Sequence, residues 1–198
     1  LVQDLSGRKQ HSLLNIIDAT TISMGGRLLR RWVVQPLRDH EQLQRRHDAV
    51  ACLLEGRIYS DLRERLRSIS DTERIVTRAA LGTARPRDLI QLRNTLAALP
   101  AIHEFLRPLA CARLRELDQQ IDLLPGLKDW LDLALVEQPP VTLRDGGVIA
   151  DGFDPQLDEL RQLSTDVSRW LLDLEQREKL RTGLSNLKVG YNRVHGYY

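Results

Sequence analysis

Residues 154–182 read DPQLDELRQLSTDVSRWLLDLEQREKLRT, with no Gly or Pro after Pro155, and this stretch decides the fold. Apolar residues recur at Leu160, Leu163, Val167, Trp170 and Leu174, a 3-4-3-4 spacing that holds one seam toward a partner helix. Asp154 followed by Pro155 is an N-cap with Pro at the first helical position, and Gly183 is the expected stop. Roughly 30 helical residues at about 1.5 Å each predict an arm of about 45 Å. Beyond it, Leu187 to Tyr198 is rich in aromatic and β-branched residues broken by Gly190 and Gly196, which predicts short extended pieces at the tip.

The charge of that tip suggests a partner. No acid follows Glu178, whereas Lys179, Arg181, Lys188 and Arg193 are basic. Lys and Arg set against phosphates release condensed counterions, so a basic tip suits a polyanion. Four charges over twenty residues are also compatible with an ordinary solvated face.

The remainder of the composition narrows the class. The chain has 198 residues, 42% hydrophobic and 28% charged, which suits one or two globular domains with a buried core. Aromatic residues make up only 5%, so the core must be built of Leu, Ile, Val and Ala, and that favours helices. The net charge of +2 is unevenly spread: residues 111–166 hold twelve acids against five bases, whereas residues 1–110 and 167–198 are net basic. Cys52 and Cys111 are far apart in sequence and form no Cys-x-x-Cys, so they read as reduced, buried thiols of a cytoplasmic protein. No apolar run approaches the ~18 residues of a membrane span. The chain begins on Leu and ends on two Tyr in mid-pattern, so both ends read as cut from something larger.

Taken in order, the chain punctuates itself into helices. Ser12 caps a short helix to Asp18; a second runs from Ser23 to Val34 and ends at Pro36. Gly25 and Gly26 in its first turn predict close approach of another backbone. Asp39 with Gln42 forms a capping-box pattern for a helix to Glu55, stopped by Gly56. Helices follow over 58–68, from Asp71 to Gly82 and from Pro86; Pro100 and Pro108 are expected to divide the next stretch, and Pro125-Gly126 opens a segment to Val136. Only 139–153 breaks the pattern. There Val141, Leu143, Val148 and Ile149 flank Asp145-Gly146-Gly147, a turn between two short extended pieces. The expected architecture is all-α: an irregular multi-helix core over 1–153 and a long helical arm ending in a small β tip over 154–198.

A catalytic site is not legible. The chain has no phosphate loop, no dinucleotide fingerprint and no nucleophile elbow. His11, His40, His47, His103 and His195 are scattered without a second ligand pair, so no metal site is expected. Asp145-Gly146-Gly147 with Asp151-Gly152 lacks the spacing of a Ca²⁺ loop and reads as tight turns. Arg27, Arg30, Arg31, Arg38, Arg45 and Arg46 could form a phosphate patch, but at helical spacing they read as an outward face paired with acids, as do Arg74, Arg78, Arg85 and Arg87. Trp32, Trp130 and Trp170 lie in apolar stripes and read as core anchors.

Several stretches together resemble the core (lever) domain and the start of the clamp domain of the DNA mismatch-repair MutS family. They are Thr21-Ile22-Ser23-Met24-Gly25-Gly26-Arg27-Leu28-Leu29-Arg30-Arg31-Trp32, Pro36-Leu37-Arg38-Asp39, Arg46 with Ala49-Val50, Asp71-Thr72-Glu73-Arg74-Ile75 with Arg78, Ala84-Arg85-Pro86-Arg87-Asp88-Leu89, Gly146-Gly147-Val148-Ile149 before Leu157-Asp158-Glu159-Leu160-Arg161, and Leu187-Lys188-Val189-Gly190-Tyr191-Asn192 with Val194-His195-Gly196-Tyr197-Tyr198. Ordered and spaced as in the family, they cover nearly the whole chain. The resemblance implies a helical hub that joins an ATPase to the parts that grip DNA, and a clamp that meets the duplex backbone without reading sequence. Carried over residue by residue, the implied DNA contacts are Lys188, Asn192, Arg193 and His195. It further implies ATP and Mg in the full-length protein with no cofactor in this chain, a dimer, MutL as a partner, and a bacterial cytoplasmic, nucleoid-associated setting. The mismatch-reading Phe-x-Glu segment, the ATPase motifs and the returning clamp helix are not found in the sequence. Two other readings stand beside it: a core from a paralogue acting in recombination, and a helical scaffold whose arm binds a protein.

Overall fold

The computed structural model describes residues 1–3, 6–8, 10–188, 191–192 and 196–197. It is nearly all helical and divides into two compact units, Leu1–Val148 and Ile149–Tyr198.

The first unit opens with α1 (Leu13–Ile17), capped by Ser12, whose Oγ accepts the Asn15 N–H at 3.2 Å. Between it and α2 (Ser23–Val34), the Thr20 N–H and hydroxyl both donate to one Asp18 carboxylate oxygen, at 3.0 and 2.6 Å, and fold the linker into a turn. That turn crowds the second glycine and merely touches the first. A Cβ on Gly26 would stand 3.2 Å from the Thr20 hydroxyl and 3.6 Å from the Asp18 carboxylate, and one on Gly25 would touch Thr20 and Ile22 at 3.5 Å. The glycines admit the chain's own preceding side chains rather than a second backbone, which corrects the expectation from sequence.

α3 (His40–Leu54) is capped by Asp39, which accepts the Gln42 N–H at 3.1 Å. Gln42 returns its amide to the Asp39 carboxylate rather than to the backbone, so only half of the capping box is made. Gly56, at φ +63°, turns the chain within a 3-10 segment, Glu55–Arg57, into α4 (Tyr59–Leu66). α5 (Thr72–Ala80) starts on Asp71, and α6 (Pro86–Leu106) on the Asp88 carboxylate, which accepts the Arg85 N–H at 2.9 Å.

α6 is where the sequence misled most. Pro100 does not divide it; the helix runs 21 residues with Pro100 inside. An interior proline forfeits one backbone bond and costs about 3 kcal/mol. Burial of Leu96, Ile102 and Leu106 on either side offsets that cost, because α6 is the helix against which α4, α5, α7 (Ala112–Gln119) and α8 (Pro125–Ala134) all pack. Ile75, Leu114, Leu131, Ala134, Leu135 and Val148 complete the core, aliphatic as the low aromatic share predicts.

The tryptophans are not core anchors. Trp32, Trp130 and Trp170 are all exposed, since the branched aliphatics already fill the interior, and Trp32 instead carries the Arg46 guanidinium 3.8 Å above its ring. The cysteines are half-buried free thiols rather than fully buried ones. Residues 139–148 make a 3-10 turn at Leu143–Asp145 followed by Gly146 and Gly147 at positive φ, where two short extended pieces about a turn were expected. The Val136 N–H donates to the Val148 carbonyl at 3.1 Å instead, and both Leu135 and Val148 are thereby buried.

The second unit is dominated by α9 (Pro155–Thr182), 28 residues without interruption. The Asp154 carboxylate accepts the N–H groups of Gln156 and Leu157 at 2.9 and 3.2 Å; Gly183, at φ +73°, closes the far end on the Lys179 carbonyl. Arg161 ties the segment before the helix to its second turn, donating to the Asp151 carboxylate at 2.6 Å and to the Ile149 carbonyl at 2.8 Å. Those bonds tie Ile149–Phe153 to the start of α9, within the same compact unit. Strands β1 (Tyr191–Asn192) and β2 (Gly196–Tyr197) pair antiparallel, with Tyr191 opposite Tyr197. Among the described residues, no helix is long and apolar enough to cross a membrane.

Candidate nucleic-acid interface

The functional reading depends on which charges stay available, and ion pairing removes many of them. Arg27 on α2 forks onto the Asp71 carboxylate with two bonds, 2.7 and 2.6 Å, and reaches Glu73 as well. The Arg27 guanidinium holds the Asp71 carboxyl down at about 2, assisted by the Arg74 N–H it caps; burial opposes the shift. Thr72 donates to the Met24 sulfur at 3.2 Å beside the pair. The stretches 21–32 and 71–75, 44 residues apart at this contact, therefore meet in space and dock α2 onto the start of α5. Met24, Arg27, Asp71, Thr72 and Glu73 are the residues of those stretches that make this contact.

Other arginines behave similarly. Arg45 bridges Glu41 and Glu116, Arg78 meets Asp88 at 3.0 Å, and Arg74 adds a longer contact to Asp71. Pairing with acids is the expectation for these positions; Arg45 meets it locally through Glu41, whereas Glu116 and the partners of Arg27 and Arg78 belong to other segments, beyond what local spacing reveals. Arg46 departs from it by stacking on Trp32. Arg30, Arg31 and Arg38 are exposed.

In the arm, the basic end is narrower than its sequence suggests. Lys179 is bound to Glu175 at 2.6 Å and Arg181 to Glu178, which raises the Arg181 pKa by hydrogen bonding. Both are helical i,i+4 or i,i+3 pairs, the kind that neutralise a face rather than present it. Past Gly183 the picture changes. Lys188 is exposed and, among the described residues, carries no ion pair. Asn192 lies in β1; Arg193 and His195, the other two positions singled out from sequence, lie outside the described residues. No group of three or more His, Cys, Asp and Glu residues is placed to hold a metal ion among the described residues.

The seam expected on α9 is open. Leu160, Leu163 and Trp170 are 62, 55 and 56% exposed, and Val167 lies between them on the same face. α9 is thus a long helix capped at both ends with an apolar stripe open along one face. The family model of MutS domain III matches residues 1–189, and the chain belongs to that family. It is the core, or lever, part of a MutS-type mismatch-repair protein, a non-catalytic domain.

Proposed function

We propose that this chain couples an ATPase elsewhere in a mismatch-repair protein to a clamp that grips the backbone of duplex DNA. The observation that carries the reading is the family match over residues 1–189, together with an arm whose last 20 residues contain no acid. In this reading the bundle around α6 is the stiff hub, and α9 is the lever. A small β tip around Lys188, Asn192, Arg193 and His195 meets the phosphates. Such contacts set position and affinity without reading bases. ATP and Mg would act in the full-length protein, as a dimer working with MutL, in the bacterial cytoplasm and on the nucleoid.

The exposed stripe on α9 gives a second reading some support: a helical scaffold whose arm binds a protein, the basic tip being incidental. A recombination paralogue would share the same domain and differ outside it.

Fluorescence anisotropy of labelled matched and mismatched duplexes across a salt series separates these readings. The clamp reading expects equal binding to both duplexes, a log–log salt slope of about −0.9 per phosphate neutralised, and clear weakening by Lys188→Glu with Arg193→Glu. Salt-independent binding, or no binding by a chain that circular dichroism shows to be folded, favours the scaffold. Preference for the mismatch by this chain alone would contradict the clamp reading.

A further inference from the structure

The two cysteines, 59 positions apart in sequence, face the same space. That both line one hollow follows from the packing of α3 against α7. Gln42, Arg45 and Arg46 line one hollow with Arg113 and Glu116, while Asp48, Cys52 and Glu55 line another with Ala110 and Cys111. The numbers rise along one helix as they fall along the other, so the pair is antiparallel, pinned by Arg45 to Glu116 at 2.7 Å. Arg45, Ala49 and Cys52 follow at spacings of four and three and share a helix face, the face on which Ala49 is buried. Cys111 is the N-cap residue of α7. Both thiols are half-buried and free, hence reachable by a small reagent. No third ligand joins them in a metal-holding group among the described residues, which leaves sulfur–sulfur chemistry as what two such groups can do.

We propose that Cys52 and Cys111 form an oxidisable dithiol that closes into a disulfide between the end of α3 and the start of α7. With an azodicarboxamide oxidant such as diamide, one thiolate adds to the azo nitrogen. The second thiolate then attacks that sulfur, breaking the S–N bond and forming S–S. Two electrons and two protons pass to the reagent, which leaves as the hydrazine. The bond would close a loop containing α4, α5 and α6, so it restrains the unfolded chain and stabilises the bundle.

The test treats the dilute 198-residue chain with diamide and reads intact mass, non-reducing electrophoresis and thermal unfolding. The expected product is a monomer lighter by two hydrogens, reversed by dithiothreitol, with a raised unfolding midpoint. Cys52→Ser and Cys111→Ser, each checked for helicity, should both abolish it. Cross-linked dimers in place of that monomer, or two thiols still open to alkylation after treatment, would overturn the proposal.

Discussion

In residues 1–148, Ile75 and Leu131 are 1 and 2% exposed, sealed among the four helices gathered on α6. In α9 the residues with the same chemistry, Leu160 and Leu163, keep more than half their surface open. The difference is one of company rather than composition. A helix of the bundle is stabilised by what its apolar face touches. α9 depends on its caps and on short-range ion pairs such as Lys179 with Glu175, each worth a few tenths of a kcal/mol. Stability in this protein should therefore be concentrated in the first unit, and sensitivity to partners in the second.

Substitutions sharpen that contrast, and the largest effect falls in the bundle. Leu131→Ala or Ile75→Ala should cost about 2–5 kcal/mol by chemical denaturation, since each empties a closed site. Val167→Ala in the arm, a similar loss of methyl groups at an exposed position, should stay within about 0.5 kcal/mol. Equal costs at the two places would break the comparison.

Next in size is the Arg27–Asp71 fork. Asp71→Asn should cost on the order of 1–2 kcal/mol, a figure that allows for solvent screening of the half-open guanidinium. Its pH signature has a definite sign. The Asp71 carboxyl is depressed to about 2 from its ordinary 3.8, so its contribution is fully present above about pH 4. It is lost as pH falls through about 2. The loss of stability on acidification should accordingly be shallower in Asp71→Asn than in the parent, as followed by circular dichroism.

A smaller effect is expected from the open stripe. Leu163→Ser with Trp170→Ser should suppress concentration-dependent association in sedimentation while leaving the unfolding midpoint of the bundle in place. Smallest of all is Lys188→Glu: no change in stability, and a reduction of about one in the salt slope of duplex binding.

Much of this division could be read from the residues. Ser12, Asp39, Asp71 and Asp154 announced helix starts because a cap acts within three residues, and the structure shows each of their side chains accepting the expected N–H. Gly183 announced the end of α9 for the same local reason. Contacts made at a distance were not legible. Pro100 looked like a break because its cost is local and its compensation is tertiary, supplied by α4, α5, α7 and α8. The tryptophans looked like core because their stripes are apolar, but nothing local says that aliphatics would already fill the interior. Val148 found Val136 rather than a residue across the Gly146-Gly147 turn, again a choice set by burial. At the tip, sequence counts Lys179 and Arg181 as available charge; the helix, once formed, pairs both with acids one turn back, whereas Lys188 is exposed and carries no ion pair among the described residues.

Hydrogen exchange, read by mass spectrometry on the chain alone and with a saturating matched duplex, tests the account most directly. Free, amides around Ile75, Leu96 and Leu131 should exchange slowly and together, and those of α9 much faster. With duplex, protection should rise in peptides C-terminal to Gly183 and along the end of α9, with the bundle unchanged. Protection appearing first in α2 or the linker that follows it, where Arg30, Arg31 and Arg38 are exposed, with none past Gly183, would contradict the assignment of the arm as the part that grips DNA.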